Sequence, residues 1–100
     1  MNYFSRPGLD YAGSSESLIN AICLAYGITE EVLKSKTRVG KIVEARTIAA
    51  YHLHRRLKYS STVTGRMLNR DHATILHLCN KAEDLIDVDK KFKNQINRFI

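Results

Sequence analysis

Hydrophobic positions in this chain recur at steps of three and four residues, the period of one helix face, in one stretch after another. Leu18, Ile19, Ile22, Cys23 and Tyr26 mark a first helix, with Ser15 or Ser17 as its cap and Gly27 as a left-handed residue past its end. Thr29 caps a short second helix that carries Glu30 and Glu31 in its first turn and points Val32 and Leu33 inward. From Lys41 the set Ile42, Ala45, Ala49, Leu53, with Val43, Ile48 and Leu57, predicts one long helix, and Arg46, His52, His54, Arg55 and Arg56 fall mostly off its stripe. Ser60 to Thr64 interrupts the pattern, and a short helix over about 62–68 buries Val63, Met67 and Leu68. After a turn at residues 68–70 comes an amphipathic helix whose apolar side is Ile75, Leu78, Cys79, Ala82, Leu85 and Ile86. Asp87 or Asp89 caps a last helix, in which Val88, Phe92, Ile96 and Phe99 fold back and Lys90, Lys91 and Lys93 face water. No strand-like alternation of useful length appears, so the expected fold is all-α with about six helices.

The order short helix, tight turn, helix with a polar first turn is helix-turn-helix geometry. That polar turn is Asn69, Arg70, Asp71 and His72, with Thr74 following. It stands where backbone N–H groups lack partners and the helix dipole is positive, so this end of the helix suits a polyanion.

Composition adds boundaries. One hundred residues make one domain, read as a flexible arm over 1–15 and a folded unit over 16–100. Tyr3, Phe4, Leu9 and Tyr11 are candidate anchors for the arm. No apolar run reaches the roughly 20 residues that span a membrane, and no secretory signal is present, which points to a cytoplasmic, nucleoid-associated protein. Cys23 and Cys79 each sit in an apolar helical pattern and read as reduced, buried thiols. The net charge of +6 is concentrated: between Lys34 and Lys58 stand eight basic residues against the single acid Glu44. A concentrated basic block is the footprint of a phosphate-binding surface.

Enzymatic and metal chemistry find little support. His52 and His54 are two apart on a helix and face different sides, and His72 and His77 are five apart, a poor chelating step. No Gly-rich phosphate loop and no ordered nucleophile–base set occurs, so neither catalysis nor a cofactor is expected. His77 lies near the apolar stripe and reads as a packed, hydrogen-bonded histidine. The recognition chemistry gathers at Arg70, Asp71, His72 and Ala73. An Arg fits the guanine O6/N7 edge, an Asp accepts from cytosine N4, and an Ala methyl packs on the thymine methyl. Asp71 can also act as a plain N-cap, and Thr74 with the helix amides suits phosphate.

The run Asn69-Arg70-Asp71-His72-Ala73-Thr74-Ile75-Leu76-His77-Leu78-Cys79-Asn80-Lys81 resembles the signature of the C-terminal helix-turn-helix domain of bacterial replication initiators of the DnaA family. Ser35-Lys36-Thr37-Arg38 followed by Ile42 to Tyr51 looks like that family's basic loop and long helix, and the similarity covers roughly Ser17 to Arg98. The resemblance implies a Trp-repressor-like all-α domain that binds a short asymmetric A/T-rich box as a monomer. Its recognition helix would enter the major groove and its basic loop the minor groove. Arg70, Asp71, His72 and Ala73 would then meet base edges. Lys36, Arg38, Lys41, Arg46, Thr62, Asn69, Thr74 and Lys81 would lie along the DNA backbone.

Departures from the family pattern predict altered specificity. Ala73 replaces the usual Thr, and Leu68-Asn69 replaces a Gly-rich turn. Ser60, Ser61 and Thr62 replace the family's apolar and Pro residues before that turn. In that resemblance Gly40 aligns with the minor-groove cation, so either Arg38 or Lys41 takes over that contact or the contact is lost. The chain carries no ATPase segment and begins with Met, which suggests a stand-alone regulator that binds double-stranded DNA, with a replication initiator as a possible protein partner. The alternative is a protein-interaction module that keeps the fold and modulates an initiator without reading DNA.

Overall fold

The computed structural model describes residues 11–100, with side chains from Ser15 onward. The expected anchors Tyr3, Phe4 and Leu9, and most of the expected arm, lie outside the described residues. Those residues contain six α-helices and no strand: α1 (Tyr11–Tyr26), α2 (Glu30–Leu33), α3 (Gly40–Tyr51), α4 (Ser61–Leu68), α5 (His72–Val88) and α6 (Lys90–Asn97). Helix α1 thus opens before the serines expected to cap it.

Helix α3 is the centre. Ala45, Arg46, Thr47, Ile48, Ala49 and Ala50 are buried in succession, so the helix is enclosed around its whole circumference. Its alanines let α1, α2, α4 and α5 approach closely. Leu18, Ile19, Ile22 and Cys23 of α1, Leu33 of α2 and Ile75, Leu78, Cys79 and Ala82 of α5 complete the core with Phe92 and Ile96 of α6. Both cysteines are free and buried. Burial raises the thiol pKa of each, the usual condition of an inert core cysteine.

Cap chemistry sets most boundaries. Gly27 takes φ +64° after α1, and Thr29 Oγ1 accepts from Val32 N at 3.1 Å to start α2. Ser60 Oγ accepts from Val63 N at 3.1 Å to start α4, and Asp89 Oδ1 accepts from Phe92 N at 3.1 Å to start α6. Val88 stays 80% exposed, because the chain turns at Asp89 before α6 folds back on Phe92 and Ile96.

The long helix expected from Lys41 changes form at its end. His52–Arg56 widens into a π-turn: Leu57 N donates to His52 O at 2.8 Å and Tyr59 N to Leu53 O at 3.0 Å, with Lys58 in the left-handed region at φ 68°. His52 is fully buried, and not off the stripe as the sequence reading expects, because it follows Ala45, Ile48 and Ala49 at helical spacing and shares their inward face. Arg46 is likewise buried, because α3 has neighbours on all sides and no solvent face at that level.

Candidate nucleic-acid interface

The turn between α4 and α5 is shaped by a glycine. A Cβ at Gly65 would stand 2.2 Å from the Arg70 carbonyl oxygen, and Arg70 N donates to Gly65 O at 2.7 Å. Only a residue without a side chain admits that approach. Asn69 then reverses the chain in the left-handed conformation (φ 58°, ψ 47°), which Asn tolerates better than most residues. Asp71 starts α5 by accepting from Thr74 N at 2.7 Å through Oδ1. That backbone N–H holds the Asp71 carboxyl below its ordinary pKa, with the Thr74 side chain helping. Asp71, His72 and Ala73 all remain exposed, so the expected reading turn projects from the body.

Two clefts flank it and share Lys36, Arg70 and Thr74. The first lies beside α4 and is lined further by Thr62, Gly65, Arg66, Asn69, Asp71 and His72. The second runs between the α2–α3 connector and α5, past Thr37, Arg38, Val43, His77 and Lys81. Thr74, His77 and Lys81 follow helical spacing, so one stripe of α5 faces the connector, with Arg70 in the turn before it.

This arrangement corrects the reading of His77. It is exposed, because Ile75, Leu78, Cys79 and Ala82 turn the opposite side of α5 to the core. His77 and Arg66 are surface residues of the clefts that the sequence reading leaves out. The usable signals are local: His77 is three after Thr74 and four before Lys81, and Arg66 is four after Thr62. Of the two candidates for the contact aligned with Gly40, Arg38 lines the connector cleft, whereas Lys41 is exposed on the first turn of α3 and lines neither cleft.

The basic block divides. Lys36, Arg38 and Lys41 are exposed, and no bond joins their side chains to any described residue. Lys34 pairs with Glu30 at 2.9 Å, Arg55 reaches Asn80 and Glu83, and Arg56 bonds His52 and the Phe99 carbonyl. Arg46, expected near phosphate, is only 5% exposed and donates to three backbone carbonyls: Leu33 at 2.9 Å, Ser35 at 2.9 Å and Thr37 at 3.3 Å. Burial disfavours its charge and the nearby Arg70 adds to that, yet a guanidinium stays protonated. Arg70, expected at a base edge, is half-buried and turned back. Its Nη1 donates to Asn69 O at 2.8 Å, Lys34 O at 3.2 Å and Leu68 O at 3.4 Å, and its Nη2 donates to Ser35 O.

No group of three or more His, Cys, Asp or Glu residues gathers as a metal site among the described residues, and none of their helices is long and apolar enough to cross a membrane.

The family described as "Bacterial dnaA protein helix-turn-helix" matches residues 15–82. Among curated relatives, the chromosomal replication initiator protein DnaA of Flavobacterium psychrophilum is 41% identical over 68 residues, which is 67% of this chain and 14% of that protein. The DnaA of Bacteroides fragilis is 29% identical over 82 residues, covering 81% of this chain and 17% of the relative. The DnaA of Lachnoclostridium phytofermentans is 34% identical over 84 residues, or 83% and 18%. The chain therefore spans less than a fifth of the length of these relatives.

Proposed function

The chain belongs to the bacterial DnaA helix-turn-helix family, and on that premise we propose that it binds double-stranded DNA at a specific A/T-rich, DnaA-box-like site, in replication initiation or its regulation. The observation that carries this reading is the exposed turn Asp71–Ala73, projecting at the N-terminus of α5 between two clefts that hold unpaired cations. A major groove about 12 Å wide admits a helix end-first, and Asp71, His72 and Ala73 then meet base edges. Nine residues along α5 from His72, Lys81 lies about 14 Å further on, beyond the groove floor and at the height of the phosphates. Lys36, Thr74, His77 and Lys81 lie along one strand's backbone, and Thr62, Arg66 and Asn69 along the other. Arg38, a cation of the connector cleft, takes the minor-groove place aligned with Gly40, and Lys41 adds charge at the edge. One copy suffices for one asymmetric site.

Selection of bound sites from a random double-stranded library tests this reading. A single asymmetric A/T-rich consensus is expected, and His72→Ala should blur it, lowering discrimination at one position by about 1–3 kcal/mol. Affinity should fall with salt by about 0.9 log units per log of salt for each phosphate neutralised. Binding without any consensus would leave a backbone-only binder. Absence of binding at low salt, together with capture of a replication initiator, would replace the reading with that of a protein-interaction module.

A further inference from the structure

The connector from Lys34 to Val39 forms no helix or strand of its own, yet four of its neighbouring carbonyls are engaged by two arginines from elsewhere in the fold. Arg46, from α3 beneath, takes Leu33 O, Ser35 O and Thr37 O. Arg70, from the turn that leads into α5, takes Lys34 O and also Ser35 O. Both guanidinia therefore meet on the Ser35 carbonyl, one from the core and one from the recognition turn. Between and beside these fixed points stand Lys36 and Arg38, exposed and joined to no described side chain.

We propose that Arg46 and Arg70 are positioning residues: together they fasten the connector to the recognition turn, and so set where Lys36 and Arg38 meet a polyanion. A planar guanidinium offers five donors in a fixed fork, which suits several carbonyls at once, whereas an ammonium acts as a compact point charge. A connector ordered before binding loses less freedom when it engages DNA. The loop and the helix turn then approach the duplex as one rigid unit. This role rests on the DNA-binding reading for its consequence, but the clamp itself is a property of the free protein.

Two measurements separate the levels. Trypsin cuts after Lys34, Lys36 and Arg38 only if the connector can leave its seat. Arg46→Gln and Arg70→Gln should each speed nicking at those bonds several-fold, while thermal unfolding stays a single transition. Should the buried Arg46 variant fail to fold, the half-exposed Arg70 variant carries the test. Unchanged nicking in a cooperatively folded variant overturns the clamp, whether or not the protein binds DNA. The second measurement is a double-mutant cycle in DNA affinity. Arg46→Gln should cost about tenfold or more in the native background and little once Lys36 and Arg38 are both changed to Gln. Arg46→Lys should not rescue. Additive losses, or full rescue by Lys, would mean that Arg46 contacts phosphate directly and would overturn the positioning role. If the unaltered protein binds no DNA, the function proposed above fails while the proteolysis still decides the clamp.

Discussion

Asp71 caps α5, and the proposed function gives it a second task that substitution can separate. Its carboxylate caps α5 through Thr74 N, and the same group stands exposed where a cytosine amino group would be read. Ser keeps an oxygen acceptor at the cap and removes the charge, whereas Ala removes both. Asp71→Ser should leave the melting temperature nearly unchanged, and Asp71→Ala should lower it. Both should weaken preference for the selected site. If Asp71→Ser keeps full specificity, Asp71 is a cap alone. The cap is legible in the sequence because it depends on four consecutive positions, Asp71 to Thr74. Arg46 is not, since its placement depends on α1, α2 and α5 all packing around α3. His77 departs from its expected place for a related reason: it neighbours an apolar stripe in sequence, but a turn of about 100° per residue carries it to the far side.

Among the elements, the helix-turn-helix depends on how closely α4 approaches the turn behind it. Gly65 sits in the interior of α4, where glycine ordinarily weakens a helix, and the Arg70 carbonyl occupies the space a side chain would need. Gly65→Ala should therefore destabilise the domain despite the better helix propensity of Ala, by about 1–3 kcal/mol as an overpacking cost. At roughly 4–8 °C per kcal/mol for a domain of this size, the loss is visible in a thermal melt. A higher melting temperature would show that the turn yields easily. The element order and the cap at Thr29 are legible in local pattern, as is the left-handed Gly27, while local pattern narrows the last cap to Asp87 or Asp89 and the structure uses Asp89. The π-turn at His52–Arg56 is not legible, because a 3.6-residue period does not register one wider turn. Nor does apolar spacing reveal Gly65, whose value lies in having no side chain.

At the scale of the whole molecule, the basic block resolves into two populations. Lys36, Arg38 and Lys41 face solvent, while Arg46, Arg55 and Arg56 hold the body together, so formal charge overstates the binding footprint. Arg56 shows how tightly stability and protonation are tied. It can only donate, so its Nε bond to His52 Nδ1 at 2.8 Å requires that nitrogen to be unprotonated. His52 Nε2 must then carry the proton that it donates to Ile96 O at 2.8 Å. The Phe99 carbonyl accepts from Arg56, and the rings of Tyr51 and Phe99 border the imidazole, so α6 is docked on a neutral histidine. Burial lowers the pKa of His52 below its ordinary value of 6.5, and the adjacent Arg56 acts in the same direction, against the Ile96 bond. As pH falls through that ordinary value, the unfolded chain takes up a proton that the folded chain refuses. Stability is therefore complete above it and declines below it. The melting temperature should drop between about pH 7 and pH 5. His52→Gln keeps a donor and an acceptor but cannot titrate, so it should start from a lower melting temperature and show a flatter decline over the same interval. An equally steep decline in the variant would assign the acid sensitivity to other groups and leave the α6 dock insensitive to pH.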